Sequence, residues 1–419
     1  MLTDINAYDI QMLNELSLEK LSEQDINKAL KQYIEQYTDC FTEPSQTKYF
    51  EAYQQGILSN LDRKSIEPIA LHFLGKKQVR GMQQFFKRSK NWETNLTQQY
   101  QTQLAKQIAD PDGFASVDDS CFVKKGTESA GVAHQYCGRL GKQENCQSGV
   151  FISYASTKGY GLVDTKLYLP KQWFETSAAD KQTRCEIPKD LKFQTKNDIA
   201  TQMLNSLLSH NTFPIKWVGC DAAFGSDQGF LDGLPLGVYY FASVKENQYL
   251  YLSVPPVEIP KLSGRGRPPK HSRALEEPVR IDSLVGEESI VWGRRAIAQG
   301  TKGSTLADIK CVRAYSCRKV NGRFMSAAPV WVYIRRYEDG AIKYFISNAP
   351  AGTAQVVLDR LATLRWSIEQ CFLECMCFLG MGHYETWSYQ GWYWYMLLVM
   401  VAHLFIMVLC HDLKKTASI

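Results

Sequence analysis

The sequence predicts a mixed α/β fold in which a helical N-terminal domain precedes a sheet-containing one. Three observations carry that expectation. Apolar residues recur at helical spacing from about residue 10 to 108, strand-like segments separated by Gly-rich turns follow from about 113, and two long helical stretches, about 353–378 and 388–411, close the chain.

In the first region Ile10, Leu13, Leu16, Leu18 and Leu21, then Ile66, Ile69, Ala70, Phe73 and Leu74, fall on helical faces. Asp110-Pro111-Asp112-Gly113 breaks that pattern. Strands are expected over Phe114–Phe122, Val150–Tyr154 and Gly161–Leu169, and a helix over 195–209. Ile215 to Asp221 reads as a buried strand ending in an acid, and residues 245–350 mix short strands and loops. They include a hairpin of Val330–Tyr337 with Ile342–Ser347 around Glu338-Asp339-Gly340. The domain boundaries that follow are 1–110, 111–244, 245–350 and 351–419.

The chain has 419 residues, 45% hydrophobic and 22% charged, which gives room for two or three domains of roughly 100–200 residues and excludes disordered, collagenous and disulfide-scaffold classes. The twelve cysteines contain no Cys-x-x-Cys pair, and Cys371, Cys375 and Cys377 lack the paired spacing of a structural zinc site. They read as reduced, buried thiols. The start shows no basic region followed by an apolar run, so a cytosolic location is expected. Trp392 to Cys410 is uncharged over 19 residues, the minimum signature of a membrane span. His403 in its middle and the lack of a second span favour a buried core helix, with a membrane-anchored protein as the less favoured reading.

Net charge is only +5, but it is unevenly spread. Residues 63–90 hold eight basic side chains, Lys87 and Arg88 among them, against Glu67 alone, which could form the positive face that phosphate binding needs. Residues 302–343 hold nine basic residues against three acids. Lys124 and Lys125 could meet a DNA backbone as point charges, or sit on an exposed turn. The segment 261–273 carries five basic residues and no acid, with Arg265-Gly266-Arg267-Pro268 followed by Lys270. It resembles an AT-hook, whose Arg-Gly-Arg lies in the narrow minor groove of A·T-rich DNA; the competing reading is a basic loop.

Asp118-Asp119-Ser120 places carboxylates at the end of one strand, Asp221 ends a second, and Glu369 lies on an expected helix. Three such carboxylates suit a two-Mg²⁺ site, because hard cations take oxygen ligands. Taken alone, a strand-end Asp is more often a turn former.

The context narrows this. Asp118-Asp119-Ser120-Cys121-Phe122-Val123-Lys124-Lys125-Gly126 is followed by Ser129-Ala130-Gly131-Val132-Ala133-His134-Gln135-Tyr136-Cys137-Gly138, Gly141-Lys142 and Asn145-Cys146-Gln147-Ser148-Gly149-Val150. Further along come Leu167-Tyr168-Leu169-Pro170, Asp221 with Gly225, Arg365-Trp366-Ser367-Ile368-Glu369, His383-Tyr384-Glu385-Thr386 and Gly391-Trp392. This series, in order over about 45–410, resembles the DDE transposases of bacterial insertion sequences, specifically the insertion-sequence 701 family, related to the insertion-sequence 4 group. The resemblance implies an α+β/α/β architecture: an RNase H-like catalytic core with a β-rich insertion between the second Asp and the Glu, preceded by an α-helical N-terminal DNA-binding domain. It implies Asp119, Asp221 and Glu369 as catalytic, metal-binding residues, with Asp118 as the alternate to Asp119 and Arg365 in support. It also implies two Mg²⁺ ions, with Mn²⁺ able to substitute, and no nucleotide cofactor. The implied partners are double-stranded terminal inverted repeats and target DNA, bound by a homodimer, in a bacterial, cytoplasmic and nucleoid-associated setting.

Two departures stand against full activity. Where the family pattern around the Glu has Tyr and Lys, this sequence has Ala362 and Met376, and the second change removes a cation expected near the DNA end. Trp366 to Leu413 also holds neither Lys nor Arg, and Trp387, Trp394 and Tyr395 stand where basic residues are common in the family. The expected function is therefore metal-dependent strand cleavage and strand transfer at insertion-sequence ends, the alternative being a catalytically impaired, repurposed DNA-binding descendant.

Overall fold

A computed structural model describes residues 22–88, 92–259, 273–300, 303–320 and 323–417. The chain divides into two compact units. Unit 1 comprises residues 1–113, 117–214 and 366–419, and unit 2 comprises 114–116 and 215–365. This differs from the expected boundaries in two ways. The N-terminal helices cluster with the first sheet and the last two helices instead of standing alone, and the second unit begins at 215, not 245.

Unit 1 opens with α1 (Glu23–Glu35), α2 (Pro44–Leu58), α3 (Ile66–Phe73), α4 (Val79–Arg88) and α5 (Trp92–Ile108). Ser22 starts α1 with a capping box, its hydroxyl accepting from Asp25 N while the Asp25 carboxylate accepts from Ser22 N. On α4, Met82, Phe85 and Phe86 are buried whereas Arg80 and Lys87, seven residues apart, are exposed. At the break after α5 the Tyr154 hydroxyl accepts from Asp110 N and lies 2.8 and 3.0 Å from the carbonyls of Asp110 and Pro214, to one of which it donates, and a Cβ at Gly113 would strike that same hydroxyl.

The sheet of unit 1 runs β1 (Phe114–Val123), β3 (Lys142–Ser156), β2 (Ala133–Cys137), with β4 (Gly159–Tyr168) also on β3. β2 and β4 both pair antiparallel with β3. β2 was not expected from the sequence, because Ala-His-Gln-Tyr-Cys offers too few β-branched residues to stand out. Helices α6 (Ala179–Arg184) and α7 (Lys196–His210) follow, and α7, like α1, starts with a capping box, Thr195 with Asp198.

Unit 2 holds β5 (Trp217–Cys220), the short helices α8 (Ala222–Gly225) and α9 (Gln228–Asp232), and then a β-rich run. Its main strands are β6 (Tyr239–Val244), β7 (Tyr249–Tyr251), β10 (Val279–Arg280), β11 (Gly293–Gly300), β12 (Gly303–Val320), β13 (Arg323–Arg336) and β14 (Ile342–Ser347), in the order β10-β7-β12-β13-β14-β6-β5, with β11 on β12. Among the described residues β5 pairs with β6 in parallel, and the other neighbours in this order pair antiparallel. β8 (Val257–Glu258) and β9 (Arg273–Ala274) form a separate antiparallel pair. Phe114, Trp217, Phe241, Tyr333, Phe345, Leu358 and Leu361 form the buried core, with α10 (Gln355–Leu364) packed into it.

The helical stretch expected over 353–378 is two helices. α10 ends at Leu364, and α11 (Ser367–Cys377) begins past Arg365–Trp366, where the chain passes from unit 2 to unit 1.

The last helix, α12 (Tyr389–Ala417), is the one among the described residues long and apolar enough to cross a membrane; 67% of its most apolar window is buried within the protein. Its interior is specific. Tyr33 donates to the carbonyl of Val401 at 2.8 Å, Gln54 donates to that of Leu398 at 3.1 Å, and a Cβ at Gly149 would strike the Trp392 ring. His403, 2% exposed, lies 2.5 Å from the Glu374 carboxylate, which also accepts from Tyr160 at 2.7 Å and Gln370 at 2.9 Å. These are the contacts of a core helix, and the stretch does not indicate a membrane protein.

Burial works to raise the Glu374 pKa, but the His403 hydrogen bond and charge outweigh it and hold the carboxyl below its ordinary value. A depressed carboxyl contributes stability that is present above the unfolded value and lost as pH falls through the folded one. His403→Ala should therefore cost about 3 kcal/mol at neutral pH. Denaturant unfolding at neutral and acid pH checks this, the gap to the unaltered protein narrowing in acid.

Candidate functional site

β1 carries Asp118 and Asp119 side by side. Successive side chains of an extended strand point to opposite faces, so the two carboxylates must diverge. Their neighbours show which way each goes.

On the side of Asp118 lie Ser116 and Phe122. The Ser116 hydroxyl donates to the carbonyl of Arg365 at 3.4 Å, at the end of α10. Phe122 meets Phe151 of β3 with ring centroids 6.4 Å apart, and Phe151 meets Phe372 of α11 at 5.1 Å. Glu369 is three residues before Phe372 and so shares its face of α11. Asp118 and Glu369 thus belong to one face of the sheet in unit 1.

Asp119 faces the other way. Its carboxylate accepts from Lys196 Nζ at 2.8 Å and from the Ser148 hydroxyl at 3.0 Å. Ser148 and Phe151 are three apart on β3, hence on opposite faces, which agrees with the alternation on β1. Lys196 opens α7; burial would lower its pKa, but the Asp119 carboxylate outweighs this and leaves it above its ordinary value. The residue expected as the first triad member is therefore an ion-paired group away from α11, while its alternate shares a face with Glu369.

In unit 2, Asp221 follows the fully buried β5 and caps α8, one carboxylate oxygen accepting from Ala223 N at 2.9 Å and Phe224 N at 3.2 Å. A Cβ at Gly219 would strike the Phe114 ring, so the strand that delivers Asp221 is tightly seated. Arg365 is buried, 7% exposed, beside that strand.

The expected DNA-facing cations divide. Lys125 and Lys87 are exposed. Lys124 is half-buried: its ammonium lies 3.4 Å from the Tyr384 ring centroid and donates to the Tyr384 carbonyl, and burial lowers its pKa to about 8. Arg265, Arg267 and Lys270 lie outside the described residues, as does the side chain of Arg88. In the 63–90 run Lys64 is buried, donating to the carbonyls of Ile57 and Phe378, and Arg63 pairs with Glu385 at 2.8 Å, leaving Lys76, Lys77, Arg80 and Lys87 exposed. In the 302–343 run Lys310 and Arg335 are buried, Lys310 donating to three backbone carbonyls. Trp331 donates to the Pro350 carbonyl and packs against the core.

Both sequence departures have a structural setting. Arg139 Nη1 lies 3.9 Å from the Met376 sulfur, so a guanidinium stands beside the position that lost its lysine. Trp394 and Tyr395 are buried at 1% and 3% exposure, and basic side chains there would have to be desolvated. Trp387 alone of the three is exposed.

The sequence model of the DDE superfamily endonuclease family matches residues 36–304, a stretch that holds Asp118, Asp119 and Asp221 and ends before Glu369. The chain belongs to the DDE superfamily endonucleases. It is also similar to the probable transposase for insertion sequence element IS701 of Microchaete diplosiphon, at 24% identity over 231 residues, 53% of this chain and 55% of that protein. The chain thus spans about half the length of the curated relative it matches. Both findings agree with the family resemblance read from the motifs. The NurA nuclease from Sulfolobus solfataricus matches over 69% of this chain and 86% of its own at 8% identity, but a TM-score of 0.26 is too low to bear on fold or function. As a DDE superfamily endonuclease with a mixed sheet flanked by helices, the chain is consistent with an RNase H-like core.

DDE superfamily endonucleases generally use divalent metal ions. The donors on the Asp118 face, carboxylate oxygens from a strand and a helix, are of the hard type that Mg²⁺ takes. One group of residues was missed at the sequence level: Cys121, Cys137 and Cys146, with sulfurs all within 4.8 Å of one another, on the Asp119 side. Their spacings of 16 and 9 residues match no metal-binding pattern, because three different strands supply them.

The Asp119–Lys196 pair is testable by itself. Lys196→Met should cost about 1–2 kcal/mol by stranding a partly buried carboxylate, and adding Asp119→Asn should restore part of the loss. A double-mutant cycle by denaturant unfolding measures it.

Proposed function

We propose that this chain is a metal-dependent DNA endonuclease that acts as the transposase of an insertion sequence, binding the terminal inverted repeats, cutting there and joining the freed 3′ ends to target DNA. Asp118 and Glu369 of unit 1 and Asp221 of unit 2 are the proposed carboxylates, with Asp118 replacing Asp119 as the first member. The observation that carries this choice is the strand alternation: Asp118 is on the side of Ser116 and Phe122, which lead to Arg365 and to α11, whereas Asp119 is held by Lys196.

These three carboxylates would hold two Mg²⁺ ions, Mn²⁺ substituting, which when bound lower the pKa of water and neutralise charge on a phosphodiester. The chain's own residues supply the geometry. Phe372 against Phe151 fixes the rotation of α11 and hence the side to which Glu369 is presented. Asp221 is oriented by the two N–H groups of α8 that its other role as helix cap requires. Exposed Lys125, Lys76, Lys77, Arg80 and Lys87 are the proposed phosphate contacts, together with Arg265, Arg267 and Lys270 of the AT-hook-like segment. Two copies bridging two ends is the proposed assembly.

The rival reading, a disabled descendant, rested on the lost lysine at 376 and on the stretch without basic residues. Arg139 beside Met376 and the burial of Trp394 and Tyr395 support the active reading over this one, while Trp387 is exposed.

Cleavage of a labelled duplex carrying the ends of the encoding element, in Mg²⁺ or Mn²⁺, tests the proposal. Asp118→Asn, Asp221→Asn and Glu369→Gln should each lower the rate by about 10²-fold or more, while Asp119→Asn stays within about tenfold. Loss with Asp119→Asn but not Asp118→Asn would return Asp119 to the triad; binding without cleavage by the unaltered chain would favour the disabled descendant. Arg139→Ala should weaken end binding and cleavage together, by about tenfold, and make binding less salt-dependent.

A further inference from the structure

We propose that Cys121, Cys137 and Cys146 form a three-thiolate site for zinc, on the face of the unit 1 sheet opposite Asp118. The thiols come from β1, the end of β2 and β3, and their sulfurs lie within 4.8 Å of one another. All three residues are buried, at 2%, 0% and 0% exposure. They form a core cluster of their own, with no aliphatic or aromatic buried side chain among its members. Thiols that merely fill space are usually mixed with hydrocarbon.

The distances fit the ion. Zinc–sulfur bonds of about 2.3 Å place tetrahedral sulfurs about 3.8 Å apart, so the cluster needs to close by roughly 1 Å at most. Soft thiolates select zinc over Mg²⁺, so this site and a carboxylate site on the other face would not compete for one ion. A carboxylate for a fourth position is at hand in Asp119, whose Oδ2 lies 3.9 Å from the Cys121 sulfur, with the Tyr136 carbonyl at 3.7 Å from the same sulfur. Three thiolates and Zn²⁺ leave one negative charge, and the ammonium of Lys196, bound to Asp119, stands beside it. Binding would release one proton to solvent from each thiol and involves no redox change. The site would tie β1, β2 and β3 together beneath the strand that carries Asp118.

This inference is independent of the proposed reaction, and its test is spectroscopic. Co²⁺ titrated into the reduced protein should give one equivalent of tetrahedral cobalt with a sulfur-to-metal charge-transfer band, displaced by one equivalent of Zn²⁺. Carboxylate-bound cobalt gives no such band, so the catalytic site cannot imitate it. Cys121→Ser, Cys137→Ser and Cys146→Ser should each weaken binding by at least about tenfold, whereas Cys220→Ser, a buried thiol of unit 2, should leave it intact. If the variants fail to fold, zinc protection of these three thiols from alkylation in the unaltered protein, read by peptide mapping, serves instead. Absence of the charge-transfer band from the fully reduced protein, a band that survives the triple serine variant, or alkylation unaffected by zinc overturns the proposal.

Discussion

The alternation of side chains along β1 is the constraint from which the arrangement of the site follows. Two adjacent carboxylates on an extended strand cannot both serve one metal centre, and the strand is held in register by groups on both of its faces. On one face Ser116 is tied to the Arg365 carbonyl and Phe122 to the aromatic series that ends on α11. On the other, Asp119 is pinned by Lys196 and Ser148, next to three thiols. Each face therefore has its own chemistry: hard oxygen donors on one, soft sulfur and an ion pair on the other.

The long apolar C-terminal helix makes the same point about context. By composition α12 could span a bilayer, yet Tyr33 and Gln54 hydrogen-bond to its mid-helix carbonyls and His403 pairs with Glu374. A helix spends such polar contacts on a protein interior. Its buried part lacks lysine and arginine because a cation at Trp394 or Tyr395 would have to be taken out of water. At Trp394 and Tyr395 the absence of a basic residue is thus a requirement of the core, whereas Trp387 is exposed.

The charge runs were also only partly what they seemed. Lys64, Lys124 and Lys310 each have ammonium groups bound to backbone carbonyls, and Lys124 stacks on Tyr384. Cationic stems can be structural when their heads find carbonyl acceptors at helix or strand ends. The exposed cations that remain on and just before α4, Lys76, Lys77, Arg80 and Lys87, come from the one run whose helical periodicity set apolar and basic residues on separate faces.

By itself the sequence determined the family, the helical start, most of the strands, the β-rich stretch after Asp221 and the identity of the acidic residues, because these depend on local periodicity and ordered motifs. It left Asp118 and Asp119 nearly equivalent, since a period-two pattern says that they diverge but not which one lies on the side of the helix bearing Glu369. It gave no sign of the break at Arg365–Trp366, where helical spacing continues on both sides, or of the grouping of the N-terminal helices with the last two. Nor could it gather Cys121, Cys137 and Cys146, which are brought together by strand pairing across β1, β2 and β3. Tertiary structure decided these matters because they depend on which faces pack, and packing joins residues that lie far apart in the chain.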